Sequence, residues 1–150
     1  MNILLKKSKK SELKVISKLY MDEFSKTPYN EKWTYKKAYE RINFYFKYDD
    51  LYSIFLDRRL IGFASVNSRF MCLGEVAYGE EMAIVEKFQG RGIGKKVMKQ
   101  IFEIYKKKGF KKFLCLVNKK GNSIRMFKKL NVTASKLDIL LEKKLKWKKK

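Results

Sequence analysis

Residues 89–94 read QGRGIG, three glycines at every second position with a helical pattern directly behind them. Gly90, Gly92 and Gly94 carry no β-carbon, so the backbone there can turn sharply and come close to a ligand. Behind them Val97, Met98, Ile101, Phe102 and Tyr105 fall on one stripe of a helix. The first turn of such a helix leaves backbone amides unpaired and presents the positive end of its dipole. Loop and helix start together form an anion site, most naturally for phosphate, and Arg91 and Lys95 add charge at its rim. Two common phosphate-binding patterns do not fit. A Walker loop ends in Gly-Lys-Ser/Thr, whereas Gly94 is followed by Lys95 and Lys96. A dinucleotide fingerprint needs G-x-G-x-x-G early in a βαβ unit, with an acidic residue about 20 positions on. The plain structural alternative is a glycine turn that merely joins a strand to a helix.

Ahead of the loop, EVAYGEEMAIV reads as a strand, bulged near Gly79. Glu80 and Glu81 lie on this largely apolar strand, where burial raises a carboxyl pKa toward the range a general base needs near neutrality. Adjacent strand residues point to opposite faces, so only one of the pair is expected to look into a cleft. The alternative is that both are solvated at the bulge. Cys72 and Cys115 each sit in an apolar run, without zinc or disulfide-framework spacing, and read as buried free thiols. With no histidine in the chain, no His-activated thiolate is available to Cys115.

The elements that must position these groups follow from the hydrophobic pattern. Residues 2–6 form a short first strand. Leu13, Ile16, Leu19, Tyr20 and Phe24 recur at helical spacing behind Ser11, a candidate cap. SKTPYNEKWT, with the chain's only proline, breaks that helix. Tyr35, Ala38, Tyr39, Ile42 and Tyr45 then mark a second helix. LYSIFLD and LIGFASVNS flank Asp57-Arg58-Arg59 as a hairpin. After the glycine loop and its helix, which Gly109 ends, FKKFLCLV is a strand, NSIRMFKKL a short helix and LDILLEKKL a closing strand. No repeat, linker or composition break divides residues 1–150, so one α+β domain is expected: a mixed, mainly antiparallel sheet with helices on both faces.

Hydrophobic residues make up 45% and aromatics 15% of the chain, which points to a packed globule. No apolar run approaches the roughly 20 residues of a membrane span, and MNILLKKSKK is unlike a secretory signal. Cytoplasmic location and no membrane partner are expected. The formal charge of +22 is spread as lysine over the whole length, the run EKKLKWKKK being the one dense stretch. Without a nucleic-acid-binding motif the charge implies salt-dependent attraction to polyanions, not a specific nucleic-acid partner.

The stretch MAIVEKFQGRGIGKKVM resembles the acetyl-coenzyme A motif of the GCN5-related N-acetyltransferase superfamily, Gln/Arg-x-x-Gly-x-Gly/Ala, with Gln89, Gly92 and Gly94 at its defining positions. NSIRMFKKLNV is similar to the family's later helix and LDILLEKKL to its final strand, so the order of elements agrees over nearly the whole chain. The resemblance implies this family's fold, no metal, and acetyl-coenzyme A as acyl-donor cosubstrate. It also implies direct transfer to a small-molecule or peptide amine, and it is compatible with a homodimer. The cofactor would lie against Ile84, the loop residues Gln89, Gly90, Arg91, Gly92, Ile93, Gly94 and Lys95, and Asn122 and Phe127. Its pantetheine arm would occupy an opening between EMAIV and FLCLV, where Asn118 could also bond it. The backbone amide of Met82 would polarise the thioester carbonyl. Related sequences often carry Glu just before the apolar triplet, which favours Glu81 over Glu80 as the base.

Two departures from the family pattern matter. Phe127 stands where the family often has a tyrosine that protonates the departing thiolate. Tyr78, Tyr105 or water would have to replace it, unless coenzyme A, with a thiol pKa on the order of 8.5–10, leaves unaided. Asn131-Val132 replaces the usual Gly-Phe, and Asn122 equally suits a helix cap. PYNEKWT is reminiscent of aminoglycoside-acetyltransferase-like members, and the aromatics from Tyr29 to Phe46 read as core more than as acceptor cleft. Two other function classes fit the same residues: a non-catalytic acyl-coenzyme A sensor, and a basic nucleic-acid-binding protein.

Overall fold

The computed structural model describes residues 1–145; the last five residues of the basic run at 142–150 lie outside them. Five strands form one sheet in chain order: β1 (Ile3–Lys7), β2 (Asp50–Leu56), β3 (Arg59–Asn67), β4 (Val76–Ile84) and β5 (Lys112–Cys115). The first three pairings are antiparallel, and β4 and β5 are parallel. The β2–β3 hairpin turns through Asp57 and Arg58, both at positive φ, which matches the right-handed twist of the paired strands.

Two helical layers cover the sheet because two apolar stripes need burial. Helices α1 (Leu13–Phe24) and α2 (Tyr35–Tyr48) pack Ile16, Tyr20, Ile42 and Tyr45 against Leu51 and Phe63 on one face. Helices α3 (Ile93–Lys107) and α4 (Ser123–Lys128) cover the other, where Val97, Ile101, Tyr105 and Phe127 meet Ile54, Ile61, Ala64 and Val66. Gly109, at φ +88°, ends α3 as expected. No helix of the described residues is long and apolar enough to cross a membrane.

Two irregularities set the shape of β4. Ser65 pairs with Glu81 and Val66 with Gly79, so Glu80 is an extra residue on β4, a bulge beside Gly79 as its sequence suggests. Pairing between β4 and β5 stops at Gly79 and Cys115, five residues before β4 itself ends at Ile84. The two parallel strands therefore part.

Three expectations fail. LDILLEKKL forms no strand: Leu137, Ile139 and Leu141 remain more than four-fifths exposed. At its start the Ser135 hydroxyl accepts from the amides of Leu137 and Asp138 (3.2 and 3.1 Å), a local turn that competes with strand pairing, and no strand of the described residues lies alongside. Cys72 is exposed, because its apolar run is the β3–β4 connection, not a strand; Cys115 is partly buried. Ser11 lies within a 3₁₀ turn ahead of α1, which Glu12 braces by accepting from the Lys9 amide at 3.0 Å.

Gly62 holds β3 against β4. A β-carbon there would lie 2.5 Å from the Ala83 carbonyl oxygen and 3.2 Å from the Ile84 Cα, both backbone atoms that cannot swing aside. Gly62→Ala should therefore cost about 1–3 kcal/mol, seen as a lower urea midpoint at constant slope. An unchanged midpoint would show that the strands separate freely at this point.

Candidate active site

A short 3₁₀ turn at Glu86–Phe88 carries the chain from β4 into the glycine loop. Gly90 and Gly92 take φ of +73° and +75°, with no atom within 4 Å of where a side chain would begin. Gly92 caps α3, whose first helical bond runs from the Lys96 amide to the Gly92 carbonyl at 3.2 Å. The amides of Ile93, Gly94 and Lys95 thus have no acceptor within the helix. Gly94 has a different reason to be glycine. A β-carbon there would meet Met126 Sδ at 2.9 Å, so its missing side chain lets α3 pack close to α4.

Gln89 turns inward, donating from Nε2 to the Ile84 carbonyl (2.7 Å) and to Glu23 (3.3 Å), and ties the loop to the end of β4. Arg91 lies over the Phe88 ring at 5.7 Å, and Arg59 approaches the same ring at 5.5 Å. Arg59, read from sequence only as a turn residue, thus adds a cation to the rim. Open space at two glycines, three free amides and a cationic rim fit a pyrophosphate-sized anion.

Where β4 and β5 part, a cavity opens between them. Its walls include Glu80, Glu81 and Met82 from β4, the chain beyond β5 from Leu116 to Asn118, Ser123 and Phe127 from α4, and Tyr29 from the α1–α2 connection. Ser65, buried and with no partner for its hydroxyl among the described residues, also lies on this wall, paired in register with Glu81. The bulge places both Glu80 and Glu81 at the cavity. Strict alternation, which would admit only one of them, does not hold across an extra residue.

The two carboxylates differ in their surroundings. Glu81 accepts one hydrogen bond on each oxygen, from the hydroxyls of Tyr20 and Tyr45, both at 2.8 Å. Burial pushes its pKa above the ordinary glutamate range, while the two tyrosines and the nearby Arg41 partly offset that rise. Both tyrosines are themselves pushed far up by burial and by Glu81, so they stay neutral donors. Their sequence positions identify them only as core residues of amphipathic helices. Glu80 accepts from Asn67 Nδ2 at 3.1 Å. Asp49, at the end of α2, is pushed up to about 6 by burial and by Glu80, and its Oδ2 has no partner among the described residues.

The remaining candidates divide. Ile84 is buried at the end of β4. Asn122 occupies the cap position of α4 but makes no capping bond there; its Oδ1 instead accepts from Arg125 at 3.0 Å. Asn118 lines the cavity while its Oδ1 accepts from the Lys120 amide at 2.8 Å. Tyr78 stacks on Phe70 with ring centroids 4.1 Å apart. Tyr105 donates to Asp50, which also binds Lys7 and Lys108. Neither tyrosine is on the cavity wall. Burial pushes the Cys115 thiol up to about 11, the opposite of an activated thiolate.

A raised Glu81 pKa favours folding most below the ordinary glutamate range, and that advantage is lost as pH rises through the raised value. The tyrosine hydrogen bonds limit the loss. Tyr45→Phe removes one donor to the charged form, so it should raise the Glu81 pKa further and lower stability at neutral pH by roughly 1.5–3 kcal/mol, with little effect in acid. Carbon-13 NMR of the glutamate carboxyls and melts at two pH values would check this; an unmoved pKa would reduce Tyr45 to packing.

Comparison with known proteins places this geometry. The chain is similar to the crystal structure of a possible acetyltransferase from Clostridium difficile 630, with a TM-score of 0.78, 10% identity, and 97% of this chain and 100% of that one covered. It is similar to an aminoglycoside N-acetyltransferase in complex with coenzyme A, with a TM-score of 0.73, 14% identity and 96% of each chain covered. It is also similar to an aminoglycoside acetyltransferase from an uncultured soil metagenomic sample in complex with sisomicin, with a TM-score of 0.65, 18% identity, and 96% and 97% covered. No curated protein sequence matches it. At these identities the likeness concerns the fold. The family model for acetyltransferases of the GNAT type matches residues 13–131, taking in the cavity walls, the paired tyrosines and the glycine loop together, and the chain belongs to that family.

Proposed function

We propose that the protein transfers an acetyl group from acetyl-coenzyme A to a primary amine of a small molecule or peptide, in one step with both substrates bound. The observation that carries this reading is the conjunction of an anion cradle at the start of α3 with a cavity between parting strands that contains a half-buried, hydrogen-bonded carboxylate. The amides of Ile93, Gly94 and Lys95, with Arg91, would hold the cofactor's pyrophosphate. Coenzyme A supplies an activated acyl group as a thioester.

The chain's own residues do the rest. Beyond Gly79 the edge of β4 facing β5 has no strand partner among the described residues, so a backbone amide near Met82 is available to the thioester carbonyl oxygen and to the negative charge that develops on it. The acceptor must arrive as a neutral amine. Glu81, ionised above its raised pKa, takes the amine proton directly or through one water. Glu80 and Asp49 lie close enough to repel each other electrostatically, and they give the acceptor side a local negative field within a strongly basic protein. That field suits a cationic acceptor, and two similar structures are of proteins named for aminoglycosides.

Turnover of acetyl-coenzyme A with a panel of amines, including an aminoglycoside, tests the reading. Glu81→Gln should lower the rate by about 10²–10⁴-fold with the affinity for acetyl-coenzyme A nearly unchanged. The wild-type rate should rise with pH through a value above the ordinary carboxylate range. Wild-type rates in both Glu81→Gln and Glu80→Gln on a confirmed acceptor would overturn the base assignment.

A further inference from the structure

Acetyl transfer leaves a developing charge on sulfur. When the C–S bond breaks, its electron pair stays on that atom, and Phe127 has no hydrogen to offer it. The geometry points to Tyr29, on the connection between α1 and α2, as the hydrogen-bond donor to the departing sulfur. This rests on the acetyl-coenzyme A reading above.

Tyr29 lines the same cavity as Met82 and Phe127, between the parted strands. Its backbone amide donates to the Lys26 carbonyl at 3.0 Å, and its ring packs edge-on against Phe24 with centroids 5.0 Å apart, so the side chain is held from both ends. Its hydroxyl lies 3.5 Å from the point where a Gly121 side chain would begin, and the Ser123 hydroxyl lies 3.5 Å from that same point. Ser123 and Phe127 are four residues apart and share a face of α4. The Tyr29 hydroxyl thus reaches, from a different element, the helix face from which a tyrosine at 127 would have acted.

The other candidates fall away. Tyr105 is committed to Asp50, and Tyr78 is stacked on Phe70 off the cavity wall. Ser65 belongs to β3 and is paired with Glu81, on the side that receives the amine. Burial raises the Tyr29 pKa while the adjacent Ser123 hydroxyl pulls it the other way, and the net rise keeps the phenol protonated at neutral pH. The step balances without further reactants. The amine nitrogen forms a bond to the carbonyl carbon, the C–S pair remains on sulfur, and the amine proton goes to Glu81. Tyr29 keeps its own proton while sharing it with sulfur, and solvent protonates the thiolate after release.

The test uses free coenzyme A bound to the wild-type protein, to Tyr29→Phe and to Tyr78→Phe. A donor to sulfur stabilises the thiolate, so the thiol of bound coenzyme A, followed by its ultraviolet difference band, should titrate about one unit or more higher in Tyr29→Phe than in wild type. Tyr78→Phe, off the cavity wall, should titrate like wild type. Binding itself shows that each variant is folded. With acetyl-coenzyme A and a confirmed acceptor, Tyr29→Phe should slow turnover by at least about 10-fold without raising KM for the donor. Coincident titrations of wild type and Tyr29→Phe, or a shift in Tyr78→Phe alone, would overturn the assignment while leaving the acetyl-coenzyme A reading intact. Failure of wild type to bind coenzyme A would remove that reading, and the Tyr29 role with it.

Discussion

β4 must stay paired with β3 from Tyr78 to Ile84, past the bulge at Glu80, and yet leave β5 after Gly79. A parallel pair that continued to Ile84 would commit the amides and carbonyls of both strands to each other and close the sheet. The extra residue at Glu80 changes the direction of β4 at the point where separation begins, and bulges locally increase strand twist. Phe113 fills the space that a side chain at Gly79 would need, with its Cζ 2.6 Å from that position, and so fixes the last paired residues. Everything proposed for the site depends on this parting: free backbone groups, a cavity reaching the sheet interior, and two carboxylates on one wall.

The opened sheet would expose polar groups to a low-dielectric interior, and the surrounding layers manage that cost unevenly. Glu81 is half-buried, and both its oxygens have neutral donors, Tyr20 from α1 and Tyr45 from α2. Asp49 Oδ2 and Ser65 Oγ, by contrast, are buried without partners among the described residues. A fold that only needed stability would satisfy or replace such groups, because an unmade hydrogen bond costs about 1–3 kcal/mol. Ser65 lies on the cavity wall, where its hydroxyl is left for a ligand.

Much of this was legible in the sequence, because the informative features are local. Helical stripes, the hairpin around Asp57-Arg58-Arg59, the bulge beside Gly79 and the glycine loop each depend on neighbours within a few residues. What the sequence hid is long-range or depends on a partner. Tyr20 and Tyr45 fall on apolar stripes, and nothing in their spacing says that their hydroxyls meet at Glu81. Glu80 broke the alternation rule through the very bulge that was anticipated. LDILLEKKL has a strand's composition, but a strand also requires an edge to pair with, and composition does not supply one. Gly94, part of a ligand-binding pattern, also lies against Met126, whose sulfur a side chain there would meet.

The central claim is that the loop at 89–95 holds the pyrophosphate of an acyl-coenzyme A. Thermal melting with acetyl-coenzyme A against matched ATP, at moderate salt, tests it most directly, since a +22 protein attracts polyanions indiscriminately. A ligand at 100 times its dissociation constant adds about 2.7 kcal/mol, about 5–10 °C for a domain of this size. The account predicts that shift with acetyl-coenzyme A and little with ATP. Equal shifts with both, or none with either, would contradict it.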